Sequence, residues 1–401
     1  MSVLAIGDVG VVDDLFHVGD EAMFDAAVIE LRRRGLATIG VSSAPAETRE
    51  RYGIDAVDRL GFAGLDREAA ARRAGQLVDA ATGSIQLAAD DVAQGVLDAL
   101  GTVTGVLHTG GGNLASRWPV HIYERTALTR MAAARGLPVA FSGQTFGPDL
   151  AAGDEIRLRA ALATAALVGV REGTSEALVR SWGLDPRRQV DDASFLDAAA
   201  VLPGSGPLLV SLSGWYAHRP SDAVDAALAR MIDTAAEITG APVVFHAHFG
   251  PLTDGDVRGD VVVHERVRAH LRTASRLETT ADTAHAVALA RSARLLISSR
   301  YHPVVFAAPS GVPVLALAAD EYTRIKLTGA LGPWGQDSVV DIDDAAAASA
   351  LLPALVSRAA SLRDAAAERF DAHRSRASLW WDDVAATLGR ARGKLQVRPL
   401  P

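Results

Sequence analysis

Arg300 and His302 stand two residues apart, with Tyr301 between them, directly after the apolar run at 295–297 and two serines. A guanidinium offers a planar fork of donors that matches a carboxylate or a phosphate. An imidazole can donate to phosphate or move a proton near neutral pH. Arg171 follows another apolar run, 165–170, in the same way. Two arginines and a histidine suit a small ligand that carries both a carboxylate and a phosphate. For Arg171 the competing reading is an ion pair with Glu172 or a nearby loop carboxylate. For His302 it is a cap on the short helix that Pro303 would open.

Other polar groups fall at comparable places. His108 begins the loop HTGGGNL at 108–114, and SGQTFGP at 142–148 ends a further apolar run. Consecutive glycines let a ligand approach the backbone, although tight turns use them too. The loop is neither a dinucleotide fingerprint nor a P-loop. Asp20 and Glu21 open an amphipathic segment, either as helix caps or as carboxylates for a sugar hydroxyl. His246 and His248 have i, i+2 spacing without a clustered carboxylate or thiol, which argues against a metal site. Trp215 and Tyr216 could stack on a sugar ring or simply pack. Asp191 and Asp192 read as structural, and Trp380–Trp381 as packing for a C-terminal helix.

These groups require elements that bring them to one edge. Short apolar runs bounded by glycine and proline alternate with helical patterns along the whole chain, which predicts parallel-sheet α/β domains. In such sheets the carboxyl ends of the strands share an edge where ligands bind. Strands are expected at 2–6, 36–41, 103–107, 137–141 and 165–170. A second set is expected near 208–212, 242–246, 261–264, 294–298 and 313–317. The stretch 199–207, with two prolines and two glycines, marks the expected boundary. The reading is therefore two Rossmann-like parallel-sheet domains, 1–200 and 201–392, with a tail at 393–401; by analogy with known folds, rather than from the residues, they are expected to face across a cleft in a GT-B-like arrangement. The C-terminal helices are expected to be able to pack back on the first domain.

Composition narrows the function. A length of 401 residues suffices for two cores, and 49% hydrophobic with 22% charged residues describes an ordinary globular chain. A net charge of -8 argues against a nucleic-acid or anionic-membrane binder but leaves room for a local basic pocket. The absence of cysteine removes disulfides, thiolate metal sites and thiol nucleophiles. With no secretion signal and no apolar run near the ~20 residues of a membrane span, a cytoplasmic protein is expected, at most peripheral at the inner face of a membrane.

The motifs VGDEAM (18–23), HTGGGNL (108–114), GQTFGP (143–148), VREG (170–173), DDASF (191–195) and SSRYHPVVFAAPSGVPVLAL (298–317) together resemble the polysaccharide pyruvyl transferase family. The resemblance spans about residues 1–335. It implies a GT-B-like transferase that moves pyruvyl from phosphoenolpyruvate to a sugar of a cell-surface polysaccharide or glycolipid precursor. A pyruvate ketal forms, phosphate is released, and no cofactor or metal is needed. The resemblance associates Arg171, Arg300 and His302 with phosphoenolpyruvate. His302 is then the candidate acid, and Asp20 or Glu21 the candidate base. His108, Gly111, Gly112, Asn113 and Gln144 are expected on the acceptor side. One departure concerns the lysine that many members carry soon after the strand matching 313–317. Tyr322 falls there, and Lys326 comes one helical turn later on the same face, with Arg324 a weaker substitute. Two rivals are a nucleotide-sugar glycosyltransferase of the same fold, with Glu321 on the ribose, and a non-catalytic sugar-binding protein.

Overall fold

A computed structural model describes residues 1–197 and 201–390. The expected tail at 393–401 and part of the boundary segment at 199–207 lie outside the described residues. The described chain forms two compact units. The first contains Met1–Gly10, Met23–Asp192 and the described residues from Arg376 onward; the second contains Val11–Ala22 and Ala193–Ser375. The division thus differs from contiguous halves meeting near residue 200. Segment 11–22 belongs to the second unit because its strand Leu15–His17 pairs antiparallel with Phe249–Pro251. The end of the helix Ala359–Leu388 belongs to the first unit because Trp380, Trp381, Val384 and Leu388 join one of its apolar clusters.

In the first unit the strands run in the order Asp55–Asp58, Ala37–Ser42, Ser2–Ile6, Gly105–His108, Val139–Phe146, Leu167–Val170, Arg187–Arg188, and Gly111–Leu114 also pairs with Val139–Phe146. All these pairings are parallel. Alternate residues of a strand point to opposite faces. Accordingly Leu4 and Ile6 pack with Leu77, Ile122 and Leu128 on one side. Val3 and Ala5 pack with Phe24, Leu31 and Trp380 on the other. A sheet covered on both faces needs the near-continuous apolar strands that the sequence shows.

The second unit repeats the plan, in the order Ser275–Glu278, Val243–His246, Leu208–Ser211, Leu295–Ser298, Val314–Ala318, Val339–Asp341. Its pairings are also parallel.

Three local expectations are corrected. Residues 261–264 are helical, within Asp260–Arg268, where Val261, Val263, His264 and Val267 are buried. Four apolar-rich residues are too few for periodicity to separate strand from buried helix. The strand in that region is the polar Ser275–Glu278. The strand expected at 103–107 extends through His108. The strand expected to stop at Phe141 continues to Phe146, buried throughout, because Gly111–Leu114 supplies it with an additional partner.

Candidate active site

In the second unit the strand Leu295–Ser298 leads into the helix Tyr301–Ala307, and Arg300 is its N-cap residue in extended conformation. Pro303 is therefore the third helical residue rather than the first. The Ser298 hydroxyl accepts from the Arg300 N–H (3.0 Å) and donates to its carbonyl (2.8 Å), which fixes the turn. The Arg300 guanidinium lies against Asp260 as a two-point ion pair, with Nε 2.8 Å from Oδ2. Asp260 is almost fully buried. Its carboxylate also accepts the backbone N–H groups of His248 (3.2 Å) and Phe249 (2.9 Å). A carboxylate bonded on both oxygens holds the arginine in one orientation.

His302 is nine-tenths buried, with Tyr301 and Phe306 rings 5.0 and 5.9 Å from its own. Its ring lies on Gly19, in the first turn of the helix Val18–Arg33: a Cβ at residue 19 would come 1.9 Å from Nδ1. That glycine is required by space. The approach brings His302 to the segment that carries Asp20 and Glu21. Asp20 forms an ion pair with His17, Nδ1 to Oδ2 2.5 Å. Burial works against the charged form of His17, but the Asp20 carboxylate outweighs it and raises the imidazole above its ordinary pKa. Glu21 is buried at 1% exposure, so of the two candidate bases Asp20 is the more accessible.

His248 joins the same cluster. Its carbonyl accepts the Val18 N–H (3.0 Å). Its ring nitrogens are buried and have no hydrogen-bond partner among the described residues. Burial, followed by the nearby His246, His302, Arg300 and His17, holds it well below the ordinary imidazole range, so it is neutral. His246 is pushed down to about 3, chiefly by burial, and bonds the Thr280 hydroxyl (2.9 Å). Among the described residues no histidine or carboxylate group forms a metal site.

Tyr322 and Lys326 both lie on the helix Glu321–Leu331. The Lys326 ammonium donates to the Tyr322 hydroxyl (3.1 Å) and lies 5.0 and 4.7 Å from the Tyr301 and Tyr322 ring centres. The cation four residues beyond the expected position thus reaches the neighbour of Arg300 and His302.

The first unit has its own polar cluster. Arg171, buried at 2% exposure, pairs with Asp191 (2.7 Å) and donates to the Thr145 hydroxyl (2.9 Å). The guanidinium is therefore already paired where a ligand contact was also expected. The ion-pair alternative is the observed state, with Asp191 the nearer carboxylate and Glu172 at 3.8 Å. Burial pushes Asp192 up to about 7, against the hydroxyl of Ser142, which donates to it at 2.7 Å.

His108 is corrected as well. As the last strand residue it is fully buried, stacked on Phe141 at 4.1 Å and bonded to Thr129 (3.0 Å). Burial, then Arg125, keeps it neutral, and it reaches no ligand surface. Gln144 is buried in the extended strand, and its amide donates to the carbonyls of Thr109 and Ser142. It supports the glycine loop from beneath. Gly111 is buried too, while Gly112 and Asn113 are part-exposed. The Asn113 amide donates to Asp8, which also accepts from Arg59 (2.8 Å) and Arg125 (3.0 Å). Burial alone would raise the Asp8 carboxyl, but those two guanidiniums hold it well below the usual range.

His17 and Asp260 were missed by sequence reasoning. His17 directly precedes the VGDEAM motif at 18–23. Asp260 carried no signal, because the residues after it were read as a strand.

The solved structures that resemble the chain share its fold at low identity. A putative UDP-N-acetylglucosamine 2-epimerase from Listeria monocytogenes superposes with TM-score 0.56 at 12% identity, covering 91% of this chain and 90% of that one. The UDP-GlcNAc 2-epimerase from Neisseria meningitidis gives 0.56 at 11%, covering 91% and 94%. The glycosyltransferase SnogD from Streptomyces nogalater gives 0.51 at 15%, covering 94% and 99%. These likenesses establish two Rossmann-like sheets of the GT-B class and nothing about substrate. No curated protein matches the chain in sequence. Among the described residues no single helix is long and apolar enough to cross a membrane. The sequence model of polysaccharide pyruvyl transferases matches residues 17–321, a span that contains His17, Asp20, Arg171, Asp260, Arg300 and His302, and the chain therefore belongs to the polysaccharide pyruvyl transferase family, as a transferase.

Proposed function

We propose that the protein transfers pyruvyl from phosphoenolpyruvate to two hydroxyls of a sugar in a polysaccharide or glycolipid precursor, giving a cyclic ketal and phosphate. The observation that carries the reading is the second unit's edge, where the oriented Arg300 fork, His302 and the Tyr301–Lys326 pair follow one strand and its neighbouring helix. Arg300, whose Nε and Nη2 are held by Asp260, takes the ligand's carboxylate or phosphate through Nη1, and Lys326 adds a second positive charge.

His302 delivers a proton to the methylene carbon, which leaves an oxocarbenium-like centre at C2. A sugar hydroxyl adds there and loses its proton to Asp20, whose charge His17 supports. A second hydroxyl displaces phosphate and closes the ring. One proton enters the new methyl group and two leave the hydroxyls: one departs with phosphate, and the other passes from Asp20 through solvent to His302, restoring both groups. The reaction proposed needs no metal or cofactor.

Phosphate release from phosphoenolpyruvate, measured across a panel of nucleotide- and lipid-linked sugars, tests the proposal. Melting adds a second arm: stabilisation by phosphoenolpyruvate but not by UDP or GDP is expected. The reverse pattern would instead assign the protein to nucleotide-sugar chemistry.

A further inference from the structure

Beyond the anion-binding groups, the same edge of the second unit carries an aromatic ring in an unusual setting. The strand Leu208–Ser211 is the register neighbour of Leu295–Ser298, with Ser211 opposite Ser298. The chain leaving it therefore runs beside the Arg300 turn: the Ser213 N–H donates to the Ser299 hydroxyl at 2.8 Å, and the Trp215 N–H to the Ser213 hydroxyl at 3.2 Å. Trp215 is 38% exposed, whereas Trp334, Trp380 and Trp381 are nearly fully buried. Its indole N–H donates to Asp320 Oδ2 (2.8 Å), and the His218 ring meets it edge-on at 5.3 Å. Asp320 is in turn the N-cap of the helix that bears Tyr322 and Lys326, closed by a capping box with Thr323. Ala217 and His218 have positive φ, +49° and +70°, which non-glycine residues adopt only at a cost of about 1–3 kcal/mol each.

We propose that Trp215 is the platform on which a hexopyranose ring of the acceptor stacks, held at a fixed angle by Asp320. The indole is tethered through its polar end and still presents part of its surface to solvent. The C–H face of a pyranose matches such a surface while its hydroxyls stay hydrogen-bonded. The Ser213–Ser299 bond beside the Arg300 turn, and the indole's bond to the cap of the Lys326 helix, put the ring at the same edge of the sheet as the anion-binding groups. Because Asp320 fixes both the indole and the Lys326 helix, donor and acceptor subsites share one support. The inference rests on the pyruvyl-transfer reading for the acceptor's role, but sugar binding itself can be measured without turnover.

The test uses the full chain with methyl glucoside, galactoside and mannoside, and with UDP as a control, by calorimetric titration of wild type, Trp215→Ala and Trp215→Phe. Phosphate release is followed with the best of the three. Trp215→Ala is expected to weaken sugar binding, and raise acceptor KM, by about tenfold or more while leaving the KM for phosphoenolpyruvate unchanged. Trp215→Phe, which keeps a ring but loses the bond to Asp320, should recover part of the loss. Unchanged sugar affinity in Trp215→Ala overturns the proposal. So does the absence of saturable sugar binding to the wild type, or a loss confined to UDP, which would make the platform one for a nucleobase. Absence of phosphate release from wild type with retained, Trp215-dependent sugar binding would refute pyruvyl transfer and leave the platform standing.

Discussion

Replacing Gly19 with alanine sets two effects of known size against each other. In a helix alanine is favoured over glycine by about 0.5–1 kcal/mol, so propensity alone predicts a more stable protein. The structure predicts the opposite. The added Cβ would lie 1.9 Å from His302 Nδ1 and 2.6 Å from both Cγ and Cε1. Ordinary contact begins near 3.5 Å, so the ring must retreat by roughly 1.5 Å. It has little room, with Tyr301 and Phe306 against it. Overpacking of this kind costs about 1–3 kcal/mol, which exceeds the propensity gain. The net loss lowers Tm by a few degrees, since about 1 kcal/mol corresponds to ~2–4 °C in a unit of this size. Activity falls further, because a displacement of about 1 Å at a reacting group costs on the order of 100-fold. The decisive measurement is the cycle with His302→Ala. In that background Gly19→Ala should be neutral or stabilising, giving a coupling of about 1–3 kcal/mol. Wild-type phosphate release by Gly19→Ala, with equal stability changes in both backgrounds, would show that His302 does not occupy the place from which the chemistry was derived.

Asp260→Asn removes the carboxylate that orients Arg300 and puts amide donors near the N–H groups of His248 and Phe249. Phosphoenolpyruvate KM should rise at least ~10-fold with little change in acceptor KM, and stability should fall by about 3 kcal/mol, the low end for a broken buried pair. Equal KM values in mutant and wild type would separate Asp260 from the anion site. His302→Ala should cut kcat by at least ~100-fold, and a near-normal rate would leave the histidine as packing. Asp192, pushed up to about 7 by burial, binds a proton more tightly in the folded state than in the unfolded. Its stabilising contribution is therefore complete below about pH 4, declines as pH rises towards 7 and is absent above. Buried neutral His246 and His264 act in the opposite sense on acidification. The contribution must then be read from the difference between the wild-type and Asp192→Asn melting curves, and a difference that is flat from pH 4 to 8 would contradict the assignment.

Much of the framework was legible because parallel strands buried on both faces leave a plain mark. Leu295–Ser298 and Val314–Ala318 stand where apolar runs, glycine and proline put them. What failed were elements whose identity depends on a partner. Residues 261–264 became helical although three valines favour a strand, and the polar Ser275–Glu278 became a strand through its pairing with Val243–His246. Val139–Phe146 outran its apolar stretch because Gly111–Leu114 lies beside it, and that extension buried Gln144.

By itself the sequence determined the chemical classes at the strand ends: a guanidinium and an imidazole after one strand, an arginine after another, carboxylates at the start of a helix. It did so because residue type and distance from a strand end are properties of the linear chain. Only the tertiary structure decided which of these groups are already committed. Arg171 is bound to Asp191 and Arg300 to Asp260, His108 is sealed in the core, and His302 rests on Gly19, 283 residues away in sequence as the numbering gives it. Such partnerships arise from through-space contact between distant segments, and a charge's availability depends on them as much as on the residue that carries it.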